Sequence, residues 1–396
     1  MKSSTQVAIV GAGPAGLLLG RLLRLSGIDN VVLEARDRSY IESRLRAGLL
    51  EQPTVDLLDA AGVGDRLHRE GKFHDGFELR FGRRRTRVDM RELTGRAITI
   101  LYPQTEVVKD LLKARDDTGD PIAFDVTDVE PRGIEGDRPT VRYRDASGTA
   151  HELEADFIAG CDGFHGVCRP LIPLARTFLR DYPFAWFGIL ADAPPISTEL
   201  IYAHHGRGFS MHSMRSDTVS RLYLQVAPDE TVENWPDERI WAELQLRMGA
   251  EGSPLLNEGP ILQKSITPMR SFVTEPLQHG RLFLAGDAAH IVPPTAAKGL
   301  NLAVADVSVL SDGLITFFKH NDRSVLDGYS ALALQRIWRA QEFSRAMTEL
   351  LHHVPGQDFD ERLQRARLEG LIASRAAMTT FCENYTGLPF AGRIHH

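Results

Sequence analysis

Residues near the start of the chain have the types and spacing to hold a dinucleotide. Gly11-Ala12-Gly13-Pro14-Ala15-Gly16 follows the apolar run Thr5-Gln6-Val7-Ala8-Ile9-Val10. A strand feeding a G-x-G-x-x-G turn that opens a helix is a pyrophosphate site. Gly11 permits the tight turn, Gly13 lets phosphate approach the backbone, and Gly16 lets helix and strand pack closely. The helix from Leu17 offers free N–H groups and the positive end of its dipole. A second strand, Asn30-Val31-Val32-Leu33, ends in Glu34, spaced as a carboxylate that accepts from a ribose hydroxyl. Arg36, Arg38, Arg44 and Arg46 follow closely, and guanidiniums beside a nucleotide site suit phosphate. Far along the chain, Ser213 and Arg215 stand two apart on an expected strand and point to one face, with Tyr223 on the next strand.

Elements must position these residues. Positions 52–61 have helical periodicity. Positions 76–81 and 86–89 read as a hairpin across a basic turn, which interrupts the parallel pattern. A short strand at 98–101 precedes a helix from Gln104 through Leu112. Positions 124–129, 140–143 and 151–153 suggest an antiparallel ribbon, and 157–160 a strand entering Cys161-Asp162-Gly163. From 183 to 269 the pattern is mostly strands, at 186–190, 199–203, 208–213 and 220–226, with a helix at 238–247. Positions 281–285 form a strand closing on Gly286-Asp287. Pro293-Pro294-Thr295 cannot be helix interior, so this backbone is expected to stay open. A helix starts at Lys298-Gly299-Leu300-Asn301, and the remainder from 330 to 385 is helical. The expected fold is α/β. A Rossmann-like domain takes residues 1–73, 102–181 and 270–329. Strands at 74–101 join an inserted β-sheet domain at 182–269, and 330–396 is a helical segment.

Length and composition bound the function. A chain of 396 residues exceeds one ordinary core. A net charge of −7 argues against nucleic acid. Cys161, Cys168 and Cys382 support neither a disulfide framework nor a four-thiolate metal site, so no metal is expected. No stretch approaches a membrane span, and the first strand begins at once, leaving no room for a signal peptide. The cytoplasm is the expected compartment.

Three separated motifs, GAGPAG with Glu34, the CDG turn at Cys161–Gly163 and GDAAH at Gly286–His290, occur together. Their combination resembles the flavoprotein aromatic hydroxylases (group A FAD monooxygenases). The likeness extends through RLRAGLLEQ, LIYAHH, PMRSF, AKGLNLA and ENYTGLP. It implies FAD as cofactor, NADPH or NADH as electron donor with a lean to NADPH, and dioxygen. The implied reaction is hydroxylation of 4-hydroxybenzoate at the 3-position. Related acids, 3-hydroxybenzoate or 4-aminobenzoate, are the alternatives. A homodimer is implied by resemblance alone.

By resemblance, Ser213, Arg215 and Tyr223 hold the substrate carboxylate. Tyr202 binds the phenol oxygen, Tyr385 is its partner in a proton relay, and His74 is the outer end. The carbonyl of Pro294 lies beside the substrate ring. FAD contacts are implied for Gly11, Gly13, Ala15, Gly16, Glu34, Arg44, Arg46, Gln104, Asp162, Asp287, Lys298, Leu300 and Asn301. Arg36, Arg44, His165 and Arg270 are candidates for the nicotinamide nucleotide. Two departures from the family pattern, Ala296 in place of glycine and His212 in place of a smaller residue, are expected to alter the substrate pocket. Two competing classes share the first turn. A disulfide reductase needs a closely spaced redox pair, and Cys161 and Cys168 have the wrong spacing. A non-enzymatic FAD-fold binder has no use for Tyr202, Arg215 and Tyr385 together.

Overall fold

The computed structural model describes residues 3–43, 48–96, 98–99, 101–354, 356–387 and 389–390. The chain opens with β1 (Ser4–Val10), α1 (Pro14–Leu25) and β2 (Asn30–Leu33), then α2 (Arg38–Ser43), α3 (Gln52–Ala60) and α4 (Asp65–Glu70). Next come β3 (Phe73–His74), β4 (Gly76–Phe81), β5 (Arg84–Asp89), α5 (Met90–Thr94), β6 (Ile98–Thr99) and α6 (Gln104–Thr118). The middle holds β7 (Ile122–Ala123), β8 (Thr127–Arg132), β9 (Thr140–Arg144), β10 (Ala150–Gly160), β11 (Arg176–Ala191), β12 (Leu200–His204), β13 (Ser210–Met214) and β14 (Ser220–Val226). Then follow α7 (Asp237–Met248), β15 (Ile261–Glu275), β16 (Gln278–His279), β17 (Leu282–Leu284) and β18 (His290–Ile291). Four helices close the chain: α8 (Lys298–His320), α9 (Ser324–Leu351), α10 (Asp358–Ala373) and α11 (Arg375–Thr386).

Two large sheets organise these elements. The first has the order β16-β17-β10-β1-β2-β7, with β9 and β8 extending from β10. Its centre is parallel, and Val7, Ala8 and Ile9 are fully buried because both faces are covered. The second runs β18-β15-β11-β14-β13-β12-β4-β5 and is antiparallel except where β12 meets β4. Its register pairs Tyr202 with Met211 and Met211 with Tyr223, so these share one face. That face packs with Phe77, Trp186, Phe343 and Tyr385. The opposite face, with Ile201 and Leu222, packs on α7.

Several expectations change. The strands expected at 151–153 and 157–160 are one, β10. Its first half pairs antiparallel with β9 and its second half parallel with β1. No turn residue separates the halves, only a change from alternating to continuous burial. The first ribbon strand starts at Thr127, not 124. β11 is far longer than the expected strand at 186–190, and β15, for which no strand was expected, pairs with it along nearly its whole length. A register shift between Asp181 and Ala185 carries β11 past Pro183. Pro294 does not lie in open backbone but starts a 3-10 turn through Ala296, and its carbonyl accepts from Ala297 N at 2.9 Å. Proline is tolerated there because a first-turn N–H needs no partner. Finally, α8 is long and apolar enough to cross a membrane, contrary to the expectation that no stretch comes near. Most of it is buried within the fold, as suits a core helix.

Candidate active site

Three adjacent parallel strands carry the three motifs at their C-terminal ends. β1 delivers Gly11, β10 delivers Cys161-Asp162-Gly163, and β17 delivers Gly286-Asp287. Cys161 N donates to Val10 O at 2.8 Å and Ala285 N to Gly160 O at 3.0 Å, which ties the turns together. The C-terminal edge of a parallel sheet is where such folds place ligands.

The first turn fits a pyrophosphate. Gly11 has φ +106°, and a Cβ there would sit 2.3 Å from the Cys161 carbonyl oxygen. Gly13 differs: it has φ −68°, and a Cβ would meet nothing within 4 Å, so the backbone is bare to the outside. Gly13 caps α1 without a side-chain hydrogen bond, and no acidic residue sits in the first turn. Glu34 is held by Ala12 N at 2.7 Å and Arg36 N at 2.9 Å, facing the turn. Ala15 and Gly286 are neighbours, the latter's would-be Cβ lying 3.5 Å from Ala15 Cβ. Asp287 is exposed on its turn. Asp162 Oδ2 accepts from Cys168 N, while its buried Oδ1 has no partner among the described residues. Gln104 begins α6. These residues fit FAD. Gly13→Ala should fold normally and lose FAD, because its methyl meets only the ligand. Gly11→Ala should lose folded protein as well. Soluble yield and flavin-to-protein ratio read both.

Arg44 and Arg46 lie outside the described residues. Of the other nucleotide candidates, His165 and Arg270 gather on Phe164, with ring centroids 4.9 Å apart and the guanidinium 5.5 Å from the ring centre. Arg36 is exposed and stacks on Tyr40. Sequence reasoning missed Arg169. It lies between Phe164 and Phe272, donates to Phe164 O and Ala288 O, and so clamps the CDG turn to the GD turn. Its only sequence signal is its place soon after CDG. Asp306 was also missed: it accepts from Gly286 N at 2.9 Å and pairs with buried His290 at 2.6 Å.

The front face of the second sheet collects the other candidates. Arg215 follows β13, and no carboxylate among the described residues pairs with it. Burial holds its guanidinium below the ordinary range, with Arg221 adding like charge and Tyr223 opposing the drop. Ser213 is buried and donates weakly to Met214 O. Tyr223 Oη accepts from Arg221 Nε at 3.2 Å and packs on Trp186. Tyr202 and Tyr385 are fully buried, their hydroxyl oxygens 2.5 Å apart. Burial raises both phenols above the ordinary tyrosine range, so both are neutral at pH 7.

Other candidates take different positions. His74 is buried, with Nδ1 unpartnered among the described residues. Burial lowers its pKa to about 4, so it is neutral at pH 7. No hydrogen bond among the described residues joins it to Tyr385. His212 pairs in register with Ile201 and Leu222 and faces α7, away from Tyr202. The expectation that it shapes the substrate pocket is therefore corrected: strand alternation sends it to the back. Ala296 is fully buried in the front core. Lys298 is turned inward and donates to Glu51 at 2.6 Å and to the Asn384 and Tyr385 carbonyls. The Asn301 amide ties Leu49 O, Ala297 O and Glu51 N together. Both side chains are thus spent on protein. What the α8 N-terminus offers outward is backbone, around half-buried Gly299 and Leu300, with no side-chain cap.

Burial also sets a pH dependence. His74 and His212 are held at about 4 and His352 at about 3, all by desolvation. The unfolded chain protonates these at about 6.5, well before the folded chain does. Stability is therefore complete above that value and falls as pH drops toward 4. Urea midpoints should decline over that window, and His212→Leu should flatten part of the decline.

A family described as "FAD binding domain" matches residues 4–344. The p-hydroxybenzoate hydroxylase of Acinetobacter baylyi is 49% identical over 390 residues, 98% of this chain and 96% of that protein. The 6-methylpretetramide 4-monooxygenase of Streptomyces rimosus is 31% identical over 326 residues, 78% of this chain and 76% of that protein. Among solved structures, p-nitrophenol 4-monooxygenase from Pseudomonas putida has a TM-score of 0.84 at 20% identity. That match covers 98% of this chain and 99% of the other, a likeness of fold.

Proposed function

The chain belongs to the FAD-binding family of aromatic hydroxylases, and from that premise we propose that it hydroxylates 4-hydroxybenzoate at the 3-position with NAD(P)H and dioxygen. The observation that carries the substrate is Arg215, a half-buried cation with no acidic partner among the described residues, one residue past β13, whose Met211 shares a face with Tyr202. Arg215 lies four residues from Met211, which pairs with Tyr202. At about 3.3 Å per residue the backbones are roughly 13 Å apart.

Bound FAD supplies the two-electron reduction by NAD(P)H and the activation of dioxygen. Gly11, Gly13, Ala15, Gly16, Glu34, Gln104, Asp162 and Asp287 hold it, with Leu300 and Asn301 at the α8 N-terminus. Arg215, Ser213 and Tyr223 bind the carboxylate and so fix the ring. Tyr202 hydrogen-bonds the phenol oxygen, takes its proton and passes its own to Tyr385, with His74 beyond. Neutral, buried tyrosines leave the negative charge on the substrate ring, where electrophilic attack needs it. Phe77, Phe209, Trp186 and Met211 exclude water. His165, Arg270 and Arg36 receive the nicotinamide nucleotide at the surface, with NADPH preferred. Residues 182–269 with 74–101 form the substrate part. Exposed Phe359 and Leu363 on α10 support a homodimer. The three cysteines are free and buried, in keeping with the cytoplasm.

Acid precipitation of the purified protein should release yellow FAD into the supernatant. NAD(P)H oxidation should be stimulated most by 4-hydroxybenzoate among 4-hydroxybenzoate, 3-hydroxybenzoate and 4-aminobenzoate. Stronger stimulation by either of the others reassigns the substrate.

A further inference from the structure

A pocket lies between α8, α9 and the end of α11. It opens to solvent and offers about 210 Å³, below the roughly 300–1,000 Å³ that suits a drug-sized ligand, which leaves room for a single small ring. Among the described residues, three cations, Lys298, Arg336 and Arg339, line it against one carboxylate, Glu51; Arg336 also donates to Pro389 O at 3.0 Å and stacks on Phe390. Glu51 is already committed: Oε1 accepts from Lys298 at 2.6 Å, and Oε2 lies 3.8 Å from Arg336. Arg339 is exposed at the mouth, with no carboxylate among the described residues paired to it. Its charge pushes against Arg336. Phe343 and Leu332 give the pocket apolar walls, Phe343 lying 5.3 Å from the Lys298 ammonium.

An excess of cation over anion, set beside a ring-sized apolar wall, recognises a small amphipathic acid. We infer that this pocket binds one single-ring aromatic carboxylate, with Arg339 on the carboxylate and Phe343 against the ring. Arg215, Tyr202 and Tyr223 are not among the residues that line it. Lys298 on its floor also holds the Asn384 and Tyr385 carbonyls, so the bound acid touches the support of the tyrosine pair. That the acid class matches the substrate rests on the function proposed above.

The test is equilibrium dialysis of FAD-loaded protein with labelled 4-hydroxybenzoate, without NAD(P)H. The wild type should bind two equivalents per chain. Arg339→Gln should keep one, with the second weakened at least tenfold, while the flavin absorbance change on binding persists. Arg215→Ala should also keep one and lose that absorbance change. The inference is overturned if the wild type binds one equivalent or if Arg339→Gln still binds two. It is overturned equally if inorganic phosphate displaces the second equivalent as readily as benzoate does. If Arg215→Ala binds two and Arg339→Gln one, the pocket stands and the assignment of Arg215 falls.

Discussion

Tyr202→Phe should bind 4-hydroxybenzoate and consume NAD(P)H, yet release hydrogen peroxide in place of most of the hydroxylated product. The hydroxyl of Tyr202 is 2.5 Å from that of Tyr385, and both are sealed from water. A free phenol titrates near ~10, so at neutral pH the substrate needs a partner to take its proton. Burial raises the tyrosines themselves, so the charge settles on the substrate and not on the protein. Phenylalanine keeps the ring that packs edge-on to Phe77 and removes only the oxygen. The fold and the Arg215 end of the pocket are untouched. Ring activation is lost, and oxygen activated without an acceptor ends as peroxide. NAD(P)H oxidised, peroxide released and product formed are measured in one reaction. Wild-type coupling in the variant would make Tyr202 a packing residue.

Arg215→Ala should weaken 4-hydroxybenzoate binding by about two orders of magnitude or more while leaving FAD content unchanged. Removing one member of a buried charge pair costs roughly 2–5 kcal/mol, and ~2.7 kcal/mol corresponds to a hundredfold. In the free protein Arg215 gains nothing from a carboxylate, since none among the described residues pairs with it. Its loss therefore falls on the ligand and not on the fold, and the variant should melt within a few degrees of the wild type. Arg221 is a poor substitute because Tyr223 already engages its Nε. Unchanged affinity in a flavin titration would show that Arg221 nevertheless holds the acid.

Local chemistry made much of this legible. The Gly11–Gly16 turn declares itself because glycine at Gly11 answers both a positive φ and a backbone 2.3 Å away from any Cβ. Strand alternation placed Ser213 and Tyr223 on one face, and the register agrees, while Arg215 lies one residue past the end of β13. Alternation also placed His212 on the other face, a consequence visible in the sequence and overlooked. The Tyr202–Tyr385 contact spans 183 positions and came only through family likeness, since no local pattern encodes it. Long-range clamps were illegible for the same reason. Lys298 looked like a cation for the flavin, but a buried ammonium needs acceptors, and Glu51 with two carbonyls supplies them. Pro183 hid the length of β11, because a bulge can pass a proline that a regular ladder cannot.

Hydroxylation of 4-hydroxybenzoate by this chain moves one oxygen atom from dioxygen to the carbon beside the phenol. The direct measurement is mass spectrometry of the product made under ¹⁸O-labelled dioxygen with NAD(P)H. The account gives 3,4-dihydroxybenzoate carrying one labelled oxygen, formed in near-equal amount to the NAD(P)H consumed. Absence of that product, or product whose new oxygen comes from water, would contradict it.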